Sequence, residues 1–144
     1  MSKDAVYEGG CLCGDIRFRG SGDPFWVGHC HCERCQKASG AAFLTYIGFR
    51  PDSLAWTKGF PKLYESSPGI QRGFCPTCGS TLCFQRPDKG EISVFAGVLD
   101  RPKDIEPTFH LFCENEAPWL KMRDDLPRFP RFGPGYEDRE MEGP

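Results

Sequence analysis

The sequence predicts a mainly β fold made of short strands, and three observations support this prediction. Seventeen Gly and thirteen Pro in 144 residues interrupt regular structure often, which favours turns over long helices. The apolar runs between them are short, and Ile16 and Phe18 alternate with charged residues at the period of a half-buried strand. Periodicity typical of helices is scarce. With 39% hydrophobic residues and twelve Phe, the chain can fill one modest core.

The expected organisation is a single domain over residues 1–135 and a polar, disordered tail over residues 136–144. One or two helical turns are predicted over residues 33–39, because Gly40 follows them as a stop signal. A hairpin turn is predicted over residues 87–90, where Pro, Asp, Lys and Gly follow one another. The strands are predicted at residues 5–10, 15–20, 25–32, 42–49, 54–57, 62–66, 70–74, 80–85, 91–99 and 108–113.

Charge and hydropathy argue against nucleic acid and membranes as partners. Eighteen Lys and Arg are scattered among twenty Asp and Glu, and the net charge of −2 does not favour nucleic acid. No apolar run approaches the roughly 20 residues that span a bilayer, and residues 1–10 lack the basic start and apolar stretch of a signal peptide. We therefore expect a cytoplasmic protein. In that reducing compartment, nine cysteines, several of them closely paired, favour metal ligands over disulfides.

The strongest motif is the Cys-x-x-Cys-Gly turn that contains Cys75 and Cys78. Two thiolates three positions apart on a tight turn can reach one Zn²⁺, and Gly79 permits the left-handed backbone that such a turn often needs. Cys11 and Cys13 fit as the second pair, since alternate residues of an extended segment project to one side. The spacing therefore predicts a closed, structural zinc site that joins segments roughly sixty residues apart.

Unligated buried cysteines or redox pairs are the alternatives for these four residues. A redox Cys-x-x-Cys normally opens a helix in a βαβ unit, and neither the strand pattern nor Gly79 supports that context. Repeated close pairs of cysteines are the usual signature of zinc. Zinc is therefore the preferred interpretation.

A second cluster, Cys30, Cys32 and Cys35, offers three thiolates within six residues. Cys30 and Cys32 project to one side of an extended stretch and a turn brings the third sulfur to them, whereas His31 would point away. Three protein ligands leave one tetrahedral position for water or substrate, which is typical of a catalytic zinc. The spacing thus predicts a second zinc ion at an open site.

A more distant residue could instead complete this tetrahedron, because structural zinc sites usually have four protein ligands. The candidates are Cys83, Cys113, His29 and His110. Each of the two cysteines lies in an apolar run, where a lone Cys is more often a small buried hydrophobe than a ligand. His110 lies in a similar run and is interpreted as a core or rim residue.

The motifs occur in the order Gly-Gly-Cys-Leu-Cys-Gly at 9–14, Cys-His-Cys-Glu-Arg-Cys at 30–35, Phe-Cys-Pro-Thr-Cys-Gly-Ser at 74–80, and His-Leu-Phe at 110–112 followed by Ala-Pro-Trp at 117–119. This arrangement resembles the glutathione-dependent formaldehyde-activating enzymes and the related centromere-protein-V-like proteins. The resemblance covers about residues 7 to 130. It implies a tent-like arrangement of small antiparallel sheets stapled by a structural zinc.

By the same resemblance, the chain would hold two zinc ions with distinct roles. The implied ligands are Cys11, Cys13, Cys75 and Cys78 for the structural ion, and Cys30, Cys32 and Cys35 for the catalytic ion. The family's founding activity joins glutathione and formaldehyde into S-hydroxymethylglutathione and is classed as a carbon–sulfur lyase. The implied partner is therefore a small-molecule thiol, glutathione or a similar compound, in its aldehyde adduct.

The charge of the implied catalytic site sets a physical requirement. Three thiolates on Zn²⁺ carry a formal charge of −1, so the site needs positive groups nearby, and Arg34 and Lys37 are the closest in sequence. The two carboxylates of glutathione would suit Arg34, Lys37 or Arg72. Two rival functions remain: a non-catalytic zinc module that binds protein or chromatin, and another zinc lyase or hydrolase on the same scaffold. The latter needs an acid or base beside the metal, and Glu33 is the carboxylate inside the cluster.

Overall fold

The computed structural model describes residues 4–134, so the tail predicted at residues 136–144 lies outside the described part of the chain. That part contains ten strands and one α-helix, α1, at Glu33–Ser39. No helix within it combines the length and the hydropathy needed to cross a membrane. The strands are β1 Val6–Gly10, β2 Arg17–Ser21, β3 Trp26–Cys30, β4 Leu44–Phe49, β5 Leu54–Lys58, β6 Lys62–Ser67, β7 Ile70–Phe74, β8 Thr81–Arg86, β9 Glu91–Phe95 and β10 His110–Leu111.

The strands form two sheets, which confirms the mainly β prediction. The smaller sheet has the order β1-β2-β5 and the larger one the order β10-β3-β4-β9-β8-β7-β6. Neighbouring strands run antiparallel throughout, except that β10 runs parallel to β3. The larger sheet is therefore mixed rather than purely antiparallel, and β3 lies between β10 and β4.

The smaller sheet contributes one face to the core, as its alternating pattern predicts. Ile16 and Phe18 are buried, and the Phe18 ring meets the Trp56 ring of β5 edge-on, with 5.9 Å between centroids. Gly9 lies where the chain passes close beneath this face, because a Cβ there would collide with the Val98 carbonyl oxygen. From the larger sheet, Ile47 and other fully buried side chains complete the same core.

The helix has the predicted bounds, and both of its ends have a physical cause. At its start, the Cys32 side chain caps the helix by accepting a hydrogen bond from the Cys35 backbone N–H, with 3.1 Å between N and Sγ. At its end, Gly40 has a φ of 72° and donates its N–H to the Gln36 carbonyl at 2.7 Å. The helix is thus a short connection that positions two of the cysteines.

Several predicted strands are longer than the observed ones, and the difference is largest for two of them. The strand predicted over residues 91–99 ends at Phe95, because a 3-10 turn occupies Ala96–Val98. The strand predicted over residues 108–113 is reduced to β10, because Phe112 takes a left-handed conformation with a φ of 55°. Beyond it, the chain returns along β10.

The returning segment is held by backbone hydrogen bonds rather than by regular structure. The N–H of His110 donates to the Pro127 carbonyl at 2.8 Å, and the N–H of Phe129 donates back to the His110 carbonyl at 2.9 Å. The N–H of Phe112 donates to the Arg131 carbonyl at 2.9 Å. Residues 127–131 therefore extend the larger sheet at its β10 edge.

Candidate metal centres and the cavities beside them

The fold brings both predicted cysteine clusters together. Within each cluster all ligand sulfurs lie within 4.8 Å of one another. The Sγ atoms of Cys11 and Cys13 are 3.6 Å apart, and those of Cys30 and Cys35 are also 3.6 Å apart. These distances exceed the ~2.05 Å of a disulfide and agree with the edge of about 3.8 Å that follows from tetrahedral Zn–S bonds of ~2.3 Å. Both donor sets therefore fit a tetrahedral metal ion such as zinc.

The four-cysteine cluster joins two turns that are distant in sequence. Cys11 and Cys13 lie in the turn between β1 and β2, and Cys75 and Cys78 in the turn between β7 and β8. Ser80 links the turns, because its hydroxyl accepts the Leu12 N–H at 2.9 Å and lies 3.1 Å from a ligand sulfur, Sγ of Cys78. The cluster is partly exposed at Cys13 and Cys78. The cluster therefore joins these two turns at the edge of the core.

The three-cysteine cluster is local in sequence and fully enclosed. Cys30 ends β3, Cys32 caps α1 and Cys35 lies inside that helix. All three are buried, with Cys35 at 0% exposure. Among residues 4–134, no His, Asp, Glu or further Cys joins the three within the same 4.8 Å. The sulfurs therefore offer three donors, as the spacing predicts.

The residues considered as a fourth donor have other contacts. The Nδ1 atom of His29 lies 2.8 Å from the Thr45 hydroxyl, and His110 is bonded to other side chains. Cys83 is buried in the core of the two sheets, consistent with its interpretation as a small hydrophobe. None of these three, nor Cys113, belongs to the cluster in the described part of the chain.

Two polar side chains approach the cluster from the larger sheet. The Tyr46 hydroxyl lies 2.9 Å from Sγ of Cys35, and Nη1 of Arg72 lies 3.9 Å from the same sulfur. Arg72 is only 8% exposed, and its guanidinium lies over the Phe84 ring, 5.3 Å from the centroid. Sequence reasoning named Arg72 among three basic candidates. In the structure, Arg72 is the buried residue of these three.

The two other basic candidates lie at the surface. Arg34 donates to the Ser66 carbonyl at 3.0 Å, and Lys37 forms an exposed ion pair with Glu33 at 3.5 Å. Glu33, the carboxylate that sequence analysis considered as an acid or base, is thus turned toward Lys37. Neither side chain replaces Arg72 as the positive group at the sulfurs.

The electrostatics of the three sulfurs fit a cation. Hydrogen bonds with Cys30 and Cys32, together with the positive charge of Arg72, hold the pKa of Cys35 well below its ordinary range. The hydrogen bonds with Cys32 and Cys35, together with burial, raise the pKa of Cys30 well above it. The three sulfurs therefore oppose one another's ionisation. A divalent ion would allow all three to ionise.

A buried histidine pair lies behind the cluster. His31 points away from the sulfurs, as predicted, and its Nε2 lies 2.8 Å from Nδ1 of His110. The Nε2 atom of His110 faces the Asp124 carboxylate at 3.1 Å. Sequence analysis missed Asp124, because it lies in a segment without a motif or periodicity that would pair it with His110. The pair therefore ties the cysteine loop to the returning C-terminal segment, which supports a structural role for His110.

Two cavities lie near the three-cysteine cluster, one lined by Cys30 itself and the other by Arg72, which contacts Cys35. One, of about 220 Å³, is lined by Cys30, Tyr46 and mostly aromatic side chains, among them Phe112 and Phe132. The other, of about 680 Å³, is lined by Arg72 and more polar residues. The basic members of the second cavity are Arg34, Lys37 and Arg72.

The architecture is similar to that of a solved protein. A crystal structure of a Rhodobacter sphaeroides protein superposes with a TM-score of 0.55 at 20% identity, over 85% of this chain and 99% of that chain. At this identity the likeness concerns the fold alone. It supports the arrangement of the two sheets.

Sequence comparison identifies the family. An uncharacterized lyase of Schizosaccharomyces pombe (strain 972) is 33% identical over 78 residues, which are 54% of this chain and 56% of that protein. The chain therefore matches little more than half the length of this curated relative. The profile of the glutathione-dependent formaldehyde-activating enzymes matches residues 6–115, a span that contains both cysteine clusters. The chain belongs to the glutathione-dependent formaldehyde-activating enzyme family.

Proposed function

We propose that this protein is a zinc-dependent carbon–sulfur lyase that interconverts an adduct of a thiol and an aldehyde with its two components. The observation that carries the proposal is a buried set of three sulfurs, one of which, Sγ of Cys30, belongs to a residue that lines a cavity. An open metal position enclosed by protein is the arrangement of a catalytic rather than a structural site. Membership of the family and the lyase relative support the same reaction class.

Each of the two cysteine clusters would hold one zinc ion. Cys11, Cys13, Cys75 and Cys78 would hold a structural zinc, and Cys30, Cys32 and Cys35 a catalytic zinc. The catalytic ion would supply Lewis acidity and would lower the pKa of a thiol or water bound to it.

The surrounding side chains have roles of their own. Arg72 places a positive charge beside three sulfurs whose combined charge exceeds that of a divalent ion, and so offsets the excess. The Tyr46 hydroxyl donates to Sγ of Cys35 when that sulfur is ionised, which orients the ligand and withdraws charge from it. The enclosing side chains exclude water from the adduct, which would otherwise exchange with solvent.

Glutathione is the thiol that the second cavity suits best. Its two carboxylates need positive partners, and Arg34, Lys37 and Arg72 all line this cavity. Arg72 also contacts Cys35, so this side chain links the cavity to the sulfurs. Because one cavity is lined by Cys30 and the other by Arg72, they support a small-molecule site over a surface for protein or chromatin.

The test measures metal content and rate in one set of proteins. Protein purified without chelator should carry two zinc ions per chain by elemental analysis and should accelerate the approach of glutathione and formaldehyde to equilibrium. Exchange spectroscopy measures that rate directly, since an enzyme cannot move the equilibrium itself. Cys32→Ser should lose one zinc ion and the acceleration.

Cys113→Ser is the matched control, because Cys113 is a half-buried cysteine outside both clusters. It should retain two zinc ions and the wild-type rate. One zinc ion per chain in the wild type, or acceleration that survives in Cys32→Ser, would contradict the proposal.

A further inference from the structure

We infer that the aromatic cavity beside Cys30 receives the carbonyl component of the substrate, and that this component is a ring-sized apolar aldehyde rather than formaldehyde. The inference rests on the proposed lyase function and names the substrate class of the same site. It follows from the composition of the cavity, its size, its rigidity and its charge.

The composition of the cavity is apolar on nearly every side. Eight aromatic side chains line it, and Cys30 and Tyr46 form the end that meets the sulfur cluster. A one-carbon aldehyde is polar and has only two non-hydrogen atoms, so it gains little from such walls. Apolar walls stabilise a ligand roughly in proportion to the apolar area that they remove from water.

The size of the cavity also exceeds what formaldehyde needs. A water molecule takes about 30 Å³ of the liquid, and an apolar cavity of about 150 Å³ binds benzene. The present cavity has a volume of about 220 Å³. It therefore has room for a benzene-sized ring together with the carbonyl group.

The walls are held in place by their own packing. The Phe112 ring meets Phe132 edge-on at 5.0 Å between centroids, and Phe109 stacks on Trp26 at 5.8 Å. Gly28 makes room for this stack, because a Cβ there would collide with the Phe109 ring. Phe112 keeps a left-handed conformation that costs a non-glycine residue free energy. The cavity is therefore preformed rather than a gap that the side chains could close.

The charge of the cavity suits a neutral ligand. Its charged members are Arg86 and Glu91, which have opposite signs and face each other in register on β8 and β9. The Trp26 indole N–H donates to the Glu91 carboxylate at 3.3 Å. The other cavity has three basic side chains and one acidic side chain, Glu33. An anionic thiol on the basic side and a neutral aldehyde on the aromatic side would then meet at the sulfurs.

The reaction needs no further reactant. In the forward direction, the thiol sulfur forms a bond to the carbonyl carbon, and the π pair of the carbonyl moves to oxygen. That oxygen takes up the proton that the thiol gave up. Cleavage of the adduct reverses each of these changes, so atoms and electrons balance without an oxidant or reductant.

The experiment compares benzaldehyde with formaldehyde, each with glutathione, and measures the binding of benzyl alcohol separately. The wild type should act on benzaldehyde with at least a tenfold higher kcat/KM than on formaldehyde. Benzyl alcohol, which cannot form the adduct, should bind the zinc-loaded protein in ligand-observed NMR. Phe132→Ser should lower benzaldehyde turnover and benzyl alcohol affinity roughly tenfold, the loss expected for one half-buried ring.

Phe129→Ser, at a second half-buried position in the same wall, repeats the test if the first variant does not fold. Phe60→Ser is the control, because Phe60 is 74% exposed and lines neither cavity. Equal turnover of both aldehydes, or absence of benzyl alcohol binding, would overturn the inference and leave the lyase proposal intact. Benzyl alcohol binding without acceleration of either aldehyde would instead overturn the lyase proposal.

Discussion

The two cysteine clusters use the same ligand atom in opposite surroundings. The four-cysteine cluster joins turns that are far apart in sequence and lies partly in solvent, with Cys13 exposed. The three-cysteine cluster is formed within six residues and is buried, with Tyr46 and Arg72 against Cys35. If the proposed roles are correct, burial does not distinguish the structural metal site from the catalytic one. The number of donors and the groups around them make the difference.

The contrast implies different contributions to stability and function. A complete set of four donors satisfies a metal ion without help and connects segments that the chain alone holds together weakly. An incomplete set depends on neighbouring side chains for charge balance, and its segments are already joined by β3 and α1. Substitutions in the four-cysteine cluster should therefore lower stability, whereas substitutions in the three-cysteine cluster should lower activity.

The largest expected effect is the loss of the fold in Cys78→Ser. A structural zinc site contributes on the order of 10 kcal/mol, which is comparable with the whole stability of a domain. Cys78 is partly exposed, so the new hydroxyl can reach water and the loss reports the metal bond. The variant should be insoluble or unfold far below the wild type in thermal unfolding followed by circular dichroism. A variant with wild-type stability would remove the distinction between the clusters.

The second effect is the loss of activity without loss of the fold in Cys32→Ser. Serine is a good N-cap, so it can still accept the Cys35 N–H that begins α1. The melting temperature should stay within a few degrees of the wild type, while turnover should fall at least roughly a hundredfold. A loss of stability as large as that of Cys78→Ser would contradict the contrast.

A smaller effect should follow Tyr46→Phe, which removes only the hydroxyl that touches Cys35. The hydroxyl is a single hydrogen-bond partner of a ligand sulfur, so turnover or zinc affinity should fall roughly tenfold. Steady-state rates and competition with a zinc-binding dye measure the two quantities. Tyr7→Phe is a matched control, because Tyr7 is equally buried in the other core cluster. If both variants lose activity equally, the hydroxyl at Cys35 has no special role.

The smallest effect concerns the surface ion pair between Arg17 and Asp100, near the four-cysteine cluster. Hydrogen bonds from Arg17 hold the pKa of Asp100 below its ordinary value, but both side chains are a third or more exposed. Asp100→Asn should cost less than about 1 kcal/mol at neutral pH. The contribution of Asp100 is present above its unfolded pKa and is lost as pH falls through the lower folded pKa.

Wild type and Asp100→Asn should therefore converge in urea unfolding at acidic pH. A neutral-pH loss approaching that of Cys78→Ser would mean that surface charges, rather than a metal, stabilise this region.

Features of the molecule that depend on residues close in sequence could be predicted, whereas features that depend on more distant residues could not. The short helix, its stop at Gly40 and the orientation of His31 were predicted because each depends on residues a few positions away. Both cysteine clusters were predicted because cysteines two or three positions apart can bring their sulfurs together on one turn or one side of a strand. The contact between His110 and Asp124 carries no such local signal.

The aromatic cavity was not predicted for a related reason. Its wall at residues 127–134 has irregular backbone without periodicity, and hydrogen bonds to β10 determine its position. The early end of the last strand was missed because Phe112 adopts a left-handed conformation that its side chain does not favour. Both features depend on contacts between distant parts of the chain.

The returning segment at residues 127–131 also has a consequence for the order of assembly during synthesis. The last ligand of the four-cysteine cluster is Cys78, so both of its turns leave the ribosome well before residues 127–131 do. The four-cysteine cluster can therefore bind a metal ion before the aromatic cavity is complete, because Phe129 and Phe132 line that cavity. In a nascent chain, the four-cysteine cluster would therefore form before the aromatic cavity that is proposed to select the substrate.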